Sequence, residues 1–155
     1  MKMEETNNVY TSTIDLPSKD KMQNGSIFLA GSIDVHLSGN WRKYVSRRIR
    51  GRVIFDPTHN NHNALSNLEM KNHIAWELKA LALSDTVLLN LLPNSESPIS
   101  LVELGLYVKS NKLIVICPTE FYKSRYVIQL CETYNTPIFE TIDIGINYYL
   151  EQFTS

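Results

Sequence analysis

Residues 95–105, SESPISLVELG, set one carboxylate, Glu103, inside an otherwise apolar run. Ser97-Pro98 has the form of a helix start, with Ser97 as N-cap and Pro98 at the first helical position. Ser100 and Glu103 have the spacing of a capping box, and capping alone would explain the glutamate. The other reading is chemical. A carboxylate near a helix start, facing a crevice, stays ionised and can attack the anomeric carbon of a sugar. The residue pattern by itself leaves both open.

Other groups offer chemistry more weakly. Asp85 precedes a strand-like run, where a turn or cap role suffices. The loop GSID presents Ser32 and backbone N–H groups, and Asp34 is placed to bind sugar hydroxyls. It is not a GxGxxG loop, and no P-loop lysine follows. Trp76-Glu77 reads as a packing residue followed by a surface or crevice carboxylate. His59-x-x-His62 lacks a third ligand at fitting spacing and reads as a polar loop, so no metal is expected. Six basic residues, Arg42, Lys43, Arg47, Arg48, Arg50 and Arg52, form a segment that reads as the solvated face of an amphipathic helix. Phosphate contact is its alternative. No G-x-S-x-G or Cys/His arrangement suggests a hydrolase triad.

These groups hang on a regular alternation of elements. IFLAG is a short apolar run ended by glycine, a buried strand. WRKYVSRRIRG follows as a helix with Trp41, Tyr44, Val45 and Ile49 near helical spacing, then RVIFDP as a second strand. LEMKNHIAWELKALALSD is a long helix whose apolar positions include Leu68, Ile74, Leu78, Leu81 and Leu83. TVLLNLL, KLIVICP and TPIFE are further strands, separated by the helices SPISLVELGLYVKSN and YKSRYVIQLCETYN and followed by IDIGINYYLEQF. Continuous apolar strands alternating with helices predict a three-layer α/β/α domain around a parallel five-stranded sheet, Rossmann- or flavodoxin-like. Residues 1–24 are polar and are expected to be a flexible tail, with Val9 and Tyr10 able to dock on a neighbour. Residues 25–155 are expected to be the single domain. In such a sheet the ligand crevice lies outside the carboxyl ends of the strands.

With 155 residues, 43% hydrophobic and 20% charged, the chain has the balance of one soluble globular domain. A net charge of −1 gives no global pull toward nucleic acid or an anionic membrane. Cys117 and Cys131 lie outside any CxxC spacing, which suits a reducing compartment, and no long apolar N-terminal run reads as a signal peptide or membrane span. A cytoplasmic protein with no cofactor is the expectation.

Taken in order, IFLAGSID, the Trp-bearing helix, FDP, HIAWELKALALSDTVLLNLLP and SPISLVELGLYVKSNKLIVICP resemble the nucleoside 2-deoxyribosyltransferase-like superfamily. The resemblance spans roughly residues 26–126, and the closest branch has a WE helix and a SPISLLELG-type loop. It implies that Glu103 is the nucleophile and that Asp85 handles the proton on the leaving base. Gly31, Ser32 and Asp34 would line the sugar and 5′ side, Ser97 would meet the 5′ group, and Asp56, Trp76 and Ser100 would complete the substrate-binding wall. The reaction implied is cleavage of the N-glycosidic bond of a 2′-deoxynucleoside or its 5′-monophosphate through a glycosyl-Glu103, with transfer to another base or to water. The partner is then a small-molecule nucleoside or nucleotide, and the protein a homo-oligomer.

Three positions depart from the family pattern. Phe28 stands where many members have a tyrosine that orients the nucleophile. Asp34 stands where nucleotide-using relatives have arginine. The loop DPTHNNHN lacks an arginine after its proline. A binding or sensor module of the same fold without turnover is therefore the alternative, and hydrolysis of a nicotinamide dinucleotide is a third reading.

Overall fold

The computed structural model describes residues 8–33, 40–59 and 64–152. Along them run β1 (Asn8–Tyr10), β2 (Ser26–Gly31), α1 (Trp41–Arg48), β3 (Val53–Phe55), α2 (Asn67–Leu83), β4 (Thr86–Asn90), α3 (Pro98–Tyr107), β5 (Leu113–Ile116), α4 (Ser124–Thr133), β6 (Ile138–Phe139) and α5 (Ile142–Glu151). A 3-10 turn, Lys19–Met22, joins β1 to β2. Every strand pair is parallel, in the order β1-β3-β2-β4-β5-β6.

The α/β layers are those expected, but the sheet has six strands rather than five. The extra one is β1, inside the stretch expected to be a tail. It pairs Asn8, Val9 and Tyr10 with Val53, Ile54 and Phe55, and Tyr10 packs on Phe55 at 6.3 Å between ring centroids. A three-residue edge strand is held by its backbone ladder, so it needs no apolar run and leaves little trace in composition.

Strands β2, β4 and β5 are buried at every residue, which is why they read as continuous apolar runs. Alternate residues still serve opposite faces. Phe28, Val87, Leu89 and Val115 meet Trp76, Leu104 and Val127, whereas Ile27, Leu29, Leu88 and Ile114 meet Val45 and Ile146. So α2, α3 and α4 cover one face, and α1 and α5 the other.

The burial of two helices is not the one their apolar or charged residues suggest. In α2 a realised capping box, Ser66 with Glu69, fixes the start, and the inward positions are His73, Trp76, Ala80 and Leu81. Leu68, Ile74, Leu78 and Leu83 are exposed. The inward stripe contains a histidine and an alanine, so counting leucines points to the wrong face. In α1, Arg42 is not on a solvated face: it is 3% exposed.

Strand order reverses between β2 and β4, because α1 leads outward from β2 to β3 and α2 carries the chain back across to β4. A crevice opens at such a switch point, beyond the carboxyl ends of both strands. Its floor is a close approach. Ser32 N donates to Asn90 O at 2.9 Å, and Gly31, at φ +126°, lies where a Cβ would come within 2.7 Å of the Asn90 backbone nitrogen. No side chain fits there, and the backbone angle itself disfavours one. Gly31→Ala is expected to destabilise the fold by about 2–4 kcal/mol in urea unfolding, and an unchanged midpoint would refute this packing constraint.

Candidate active site

Helix α3 leaves the crevice floor and carries Glu103. Ser97 is its N-cap residue and Pro98 its first helical residue, but Ser97 adopts a left-handed conformation (φ 49°, ψ 54°) and its side chain caps nothing. Non-glycine residues held in this region cluster at functional sites. The Ser97 hydroxyl instead joins a string. Ser95 Oγ lies 2.7 Å from it, Ser32 Oγ 2.5 Å, and Ser32 Oγ accepts from Leu92 N–H at 3.0 Å. These hydroxyls edge a recess of about 370 Å³ that Gly31, Pro98 and Ser100 also line. The structure thus brings Gly31, Ser32, Ser97 and Ser100 together. Asp34 lies outside the described residues, as does His62.

Because α3 begins at Pro98, Ser100 is its third residue, and the expected Ser100–Glu103 capping box does not form. The two side chains lie one turn apart on the inward face, 4% and 8% exposed. The expectation that the helix start keeps Glu103 ionised also fails. Glu103 sits in the second turn, where the dipole is weak, and burial dominates: desolvation, with help from Glu77, raises its pKa from the usual 4.5 to about 7, against the pull of Arg42.

Glu77 is the second carboxyl. It projects from α2, and burial raises its pKa to about 7 as well, again opposed by Arg42. Its side chain is 16% exposed, and His73 Nε2 lies 2.7 Å from Oε1. Arg42 supplies the balancing charge. Its guanidinium donates to the carbonyls of Leu29 (3.0 Å), Ser32 (3.0 Å) and Gly31 (3.1 Å) at the end of β2, and Asp56 Oδ1 is 3.8 Å away. Burial lowers its pKa to about 10, so it remains charged at neutral pH. Asp56 also accepts from Thr58 N–H and its hydroxyl, which closes the turn after β3.

Asp85 is not in this group. It precedes β4, at the amino end of the sheet, and accepts from Ser26 N–H at 3.1 Å. In return its own N–H donates to Ser26 Oγ. The five-residue rise of β2 from Ser26 to Gly31 puts it about 16 Å from the crevice. In a parallel sheet the residue before a strand faces the opposite pole from the residue after it, so Asp85 ties the start of β4 to the start of β2, away from Glu103. Trp76 is likewise set inside the core, 8% exposed, packed on Phe28 and Phe55. Larger depressions exist, about 620 Å³ beside Asp85 and about 670 Å³ between α3 and α4; among the described residues, Glu77 and Glu103 line neither of these nor the recess at Ser97.

The profile of proteins described as nucleoside 2-deoxyribosyltransferase like matches residues 24–121. The chain belongs to this family. No curated protein matches it. Among solved structures, the crystal structure of a conserved protein from Enterococcus faecalis V583 is similar to it at 11% identity, with a TM-score of 0.63, over 83% of this chain and 99% of that one. At that identity the likeness shows the fold alone. The match covers β2 through the start of the loop before α4, and so includes Arg42, Glu77 and Glu103. Sequence reasoning named Glu77 only as one of two alternatives and gave Arg42 to the solvent. The available signal was position: WE on the inward stripe of α2, and arginine directly after the first helical tryptophan.

The two raised carboxyls weigh on stability. Each favours its protonated form in the fold, so the fold loses free energy as pH rises from about 4.5 to about 7 and regains none above that. Glu103→Gln is therefore expected to raise stability by roughly 1–3 kcal/mol at pH 8 and to change it little at pH 4. Urea titrations at both pH values measure this, and a loss of stability at pH 8 would count against the desolvated-carboxyl reading.

Proposed function

We propose that the protein cleaves the N-glycosidic bond of 2′-deoxynucleosides or their 5′-monophosphates, with Glu103 as nucleophile and Glu77, not Asp85, as the proton donor. The observation that carries this reading is the burial of Glu103 and Glu77 beside one arginine at the switch point of the sheet. Two buried carboxyls near one cation hold about one proton between them at neutral pH, so one serves as acid while the other attacks. Glu103 attacks C1′ through an oxocarbenium-like transition state, and the electron pair of the C1′–N bond leaves with the base, which takes the proton of Glu77. The ionised Glu77 then removes a proton from a second base or from water, whose attack on C1′ releases Glu103 with net retention. The hydroxyls of Ser32, Ser95 and Ser97 suit the 5′ hydroxyl or phosphate of the sugar, and the missing 2′-hydroxyl makes the cation easier to form. Exposed Ile99, Val102 and Leu106 on α3 support self-association, which light scattering measures.

One feature favours the second reading, binding without turnover. Phe28 is fully buried against Trp76 and brings no hydroxyl to Glu103.

Chromatography of products from a panel of 2′-deoxynucleosides and their monophosphates, with and without a free acceptor base, tests the proposal. The expected results are base release or exchange, none with Glu103→Ala, and a loss of about 100- to 10,000-fold with Glu77→Gln. Asp85→Asn is expected to lower stability and leave turnover within about twofold, since Asp85 sits at the other pole. Ligand binding without product from any substrate would establish the binding module instead.

A further inference from the structure

The serine hydroxyls that edge the recess of about 370 Å³ come from two loops. Ser32 follows β2, whereas Ser95 and Ser97 lie between β4 and α3. Ser97 is the centre of the group. Its hydroxyl lies 2.7 Å from Ser95 Oγ and 2.5 Å from Ser32 Oγ. Its backbone is held in the left-handed region, at φ 49° and ψ 54°. A serine rarely enters that region unaided, so the surroundings must hold it there.

A third loop reaches this point. Tyr122, between β5 and α4, donates its hydroxyl hydrogen to the carbonyl oxygen of Glu96 at 3.0 Å. The tyrosine stands on a firm base. Its neighbour Phe121 is buried. Phe121 N–H donates to Pro118 O at 3.0 Å, and Ser124 N–H donates to Phe121 O at 2.9 Å. The two rings meet edge to face, 5.0 Å between centroids, and Lys123 Nζ lies over the Tyr122 ring at 5.4 Å.

Peptide geometry links this contact to Ser97. The Glu96 carbonyl and the Ser97 N–H share one rigid plane. The φ angle of Ser97 is the rotation between that plane and the rest of the residue. A donor bonded to the Glu96 oxygen therefore fixes one side of the rotation. The bond from Leu101 N–H to Ser97 O, 3.1 Å, fixes the other. With both sides set, the direction of the Ser97 Cα–Cβ bond follows, and it carries the hydroxyl to Ser32 and Ser95.

We propose that Tyr122 is a positioning residue for the 5′ end of the substrate: its hydroxyl clamps the Glu96–Ser97 peptide so that Ser97 presents its oxygen to the 5′ hydroxyl or phosphate. The role rests on the proposed function, in which the serine recess takes the 5′ group. Tyr122 acts through Ser97 and stands apart from the chemistry at C1′, so its loss falls on binding of the 5′ group.

The test pairs 2′-deoxyadenosine and its 5′-monophosphate with 2′,5′-dideoxyadenosine, which lacks the 5′ oxygen. Tyr122 is exposed, so Tyr122→Phe keeps the ring and the fold and removes the donor. Calorimetry gives Kd in the Glu103→Gln protein, where the nucleophile is gone, and steady-state kinetics give KM and kcat with Glu103 in place. Tyr122→Phe is expected to raise Kd and KM of the two 5′-oxygenated ligands by about 3- to 10-fold, the range of one hydrogen bond, with kcat and the dideoxy ligand within about twofold. Glycine enters the left-handed region freely and brings no hydroxyl, so on Ser97→Gly the same change should add less than about twofold. Equal weakening of all ligands, weakening of none, or a full further loss on Ser97→Gly would overturn the positioning role. Binding that ignores the 5′ oxygen while Tyr122 is intact would do the same. Turnover by Glu103→Ala, or 5′-selective binding with no turnover by the unaltered protein, would overturn the glycosidase reading and keep Tyr122 as a positioning residue of a binding site.

Discussion

A buried guanidinium organises this protein. Arg42 has almost no water to solvate it, and the cost of leaving water is large enough to bring its pKa down to about 10. Three carbonyls at the end of β2 and the nearby carboxyls of Asp56, Glu77 and Glu103 replace that water. Those same carbonyls belong to the strand end that turns toward Asn90, so the cation holds the crevice floor in shape and sets its charge. Without a cation there, two buried carboxyls would face each other in low dielectric with only protonation to relieve them.

The parallel sheet divides the molecule into two poles with different chemistry. At the amino pole Asp85 and Ser26 exchange hydrogen bonds, and Lys112 Nζ donates to the carbonyls of Leu81 and Ser84 at the end of α2. Those contacts tie together strand and helix ends that are distant in the chain. The carboxyl pole gathers three serine hydroxyls, a helix start in a strained conformation, and two carboxyls whose pKa values burial raises to about 7. Burial at this pole raises both acids, and His73 Nε2 lies 2.7 Å from one of them, Glu77.

Much of this was legible in the residues. The apolar runs of β2, β4 and β5 announced strands buried on both faces, because a parallel sheet covered by helices has no wet side. The punctuation of Gly31, Asp56-Pro57 and Ser97-Pro98 marked the strand and helix ends. Glu103 stood out as a carboxylate in an apolar helix. Misreadings came where the sequence carries no side-chain signal. Strand β1 is three residues long, held by backbone pairing and the packing of Tyr10 on Phe55, and the inward stripe of α2 includes His73 and Ala80 in place of leucine. Arg42 looked like its exposed neighbours because burial of a charge depends on carbonyls that a linear pattern does not locate.

The sequence by itself determined the layer architecture, the placement of loops at the strand ends and the singular position of Glu103, since hydrophobic period and turn chemistry are local properties. Which carboxyl partners Glu103 was decided only by tertiary structure. Asp85 lies nearer to it along the chain than Glu77 does, yet one strand length separates the two poles, and the crossover through α2 brings Glu77 to the carboxyl end while leaving Asp85 at the other. Proton affinity followed the same rule: desolvation is a property of the surroundings, and the surroundings of Glu77 and Glu103 come from α1, α2 and α3 together.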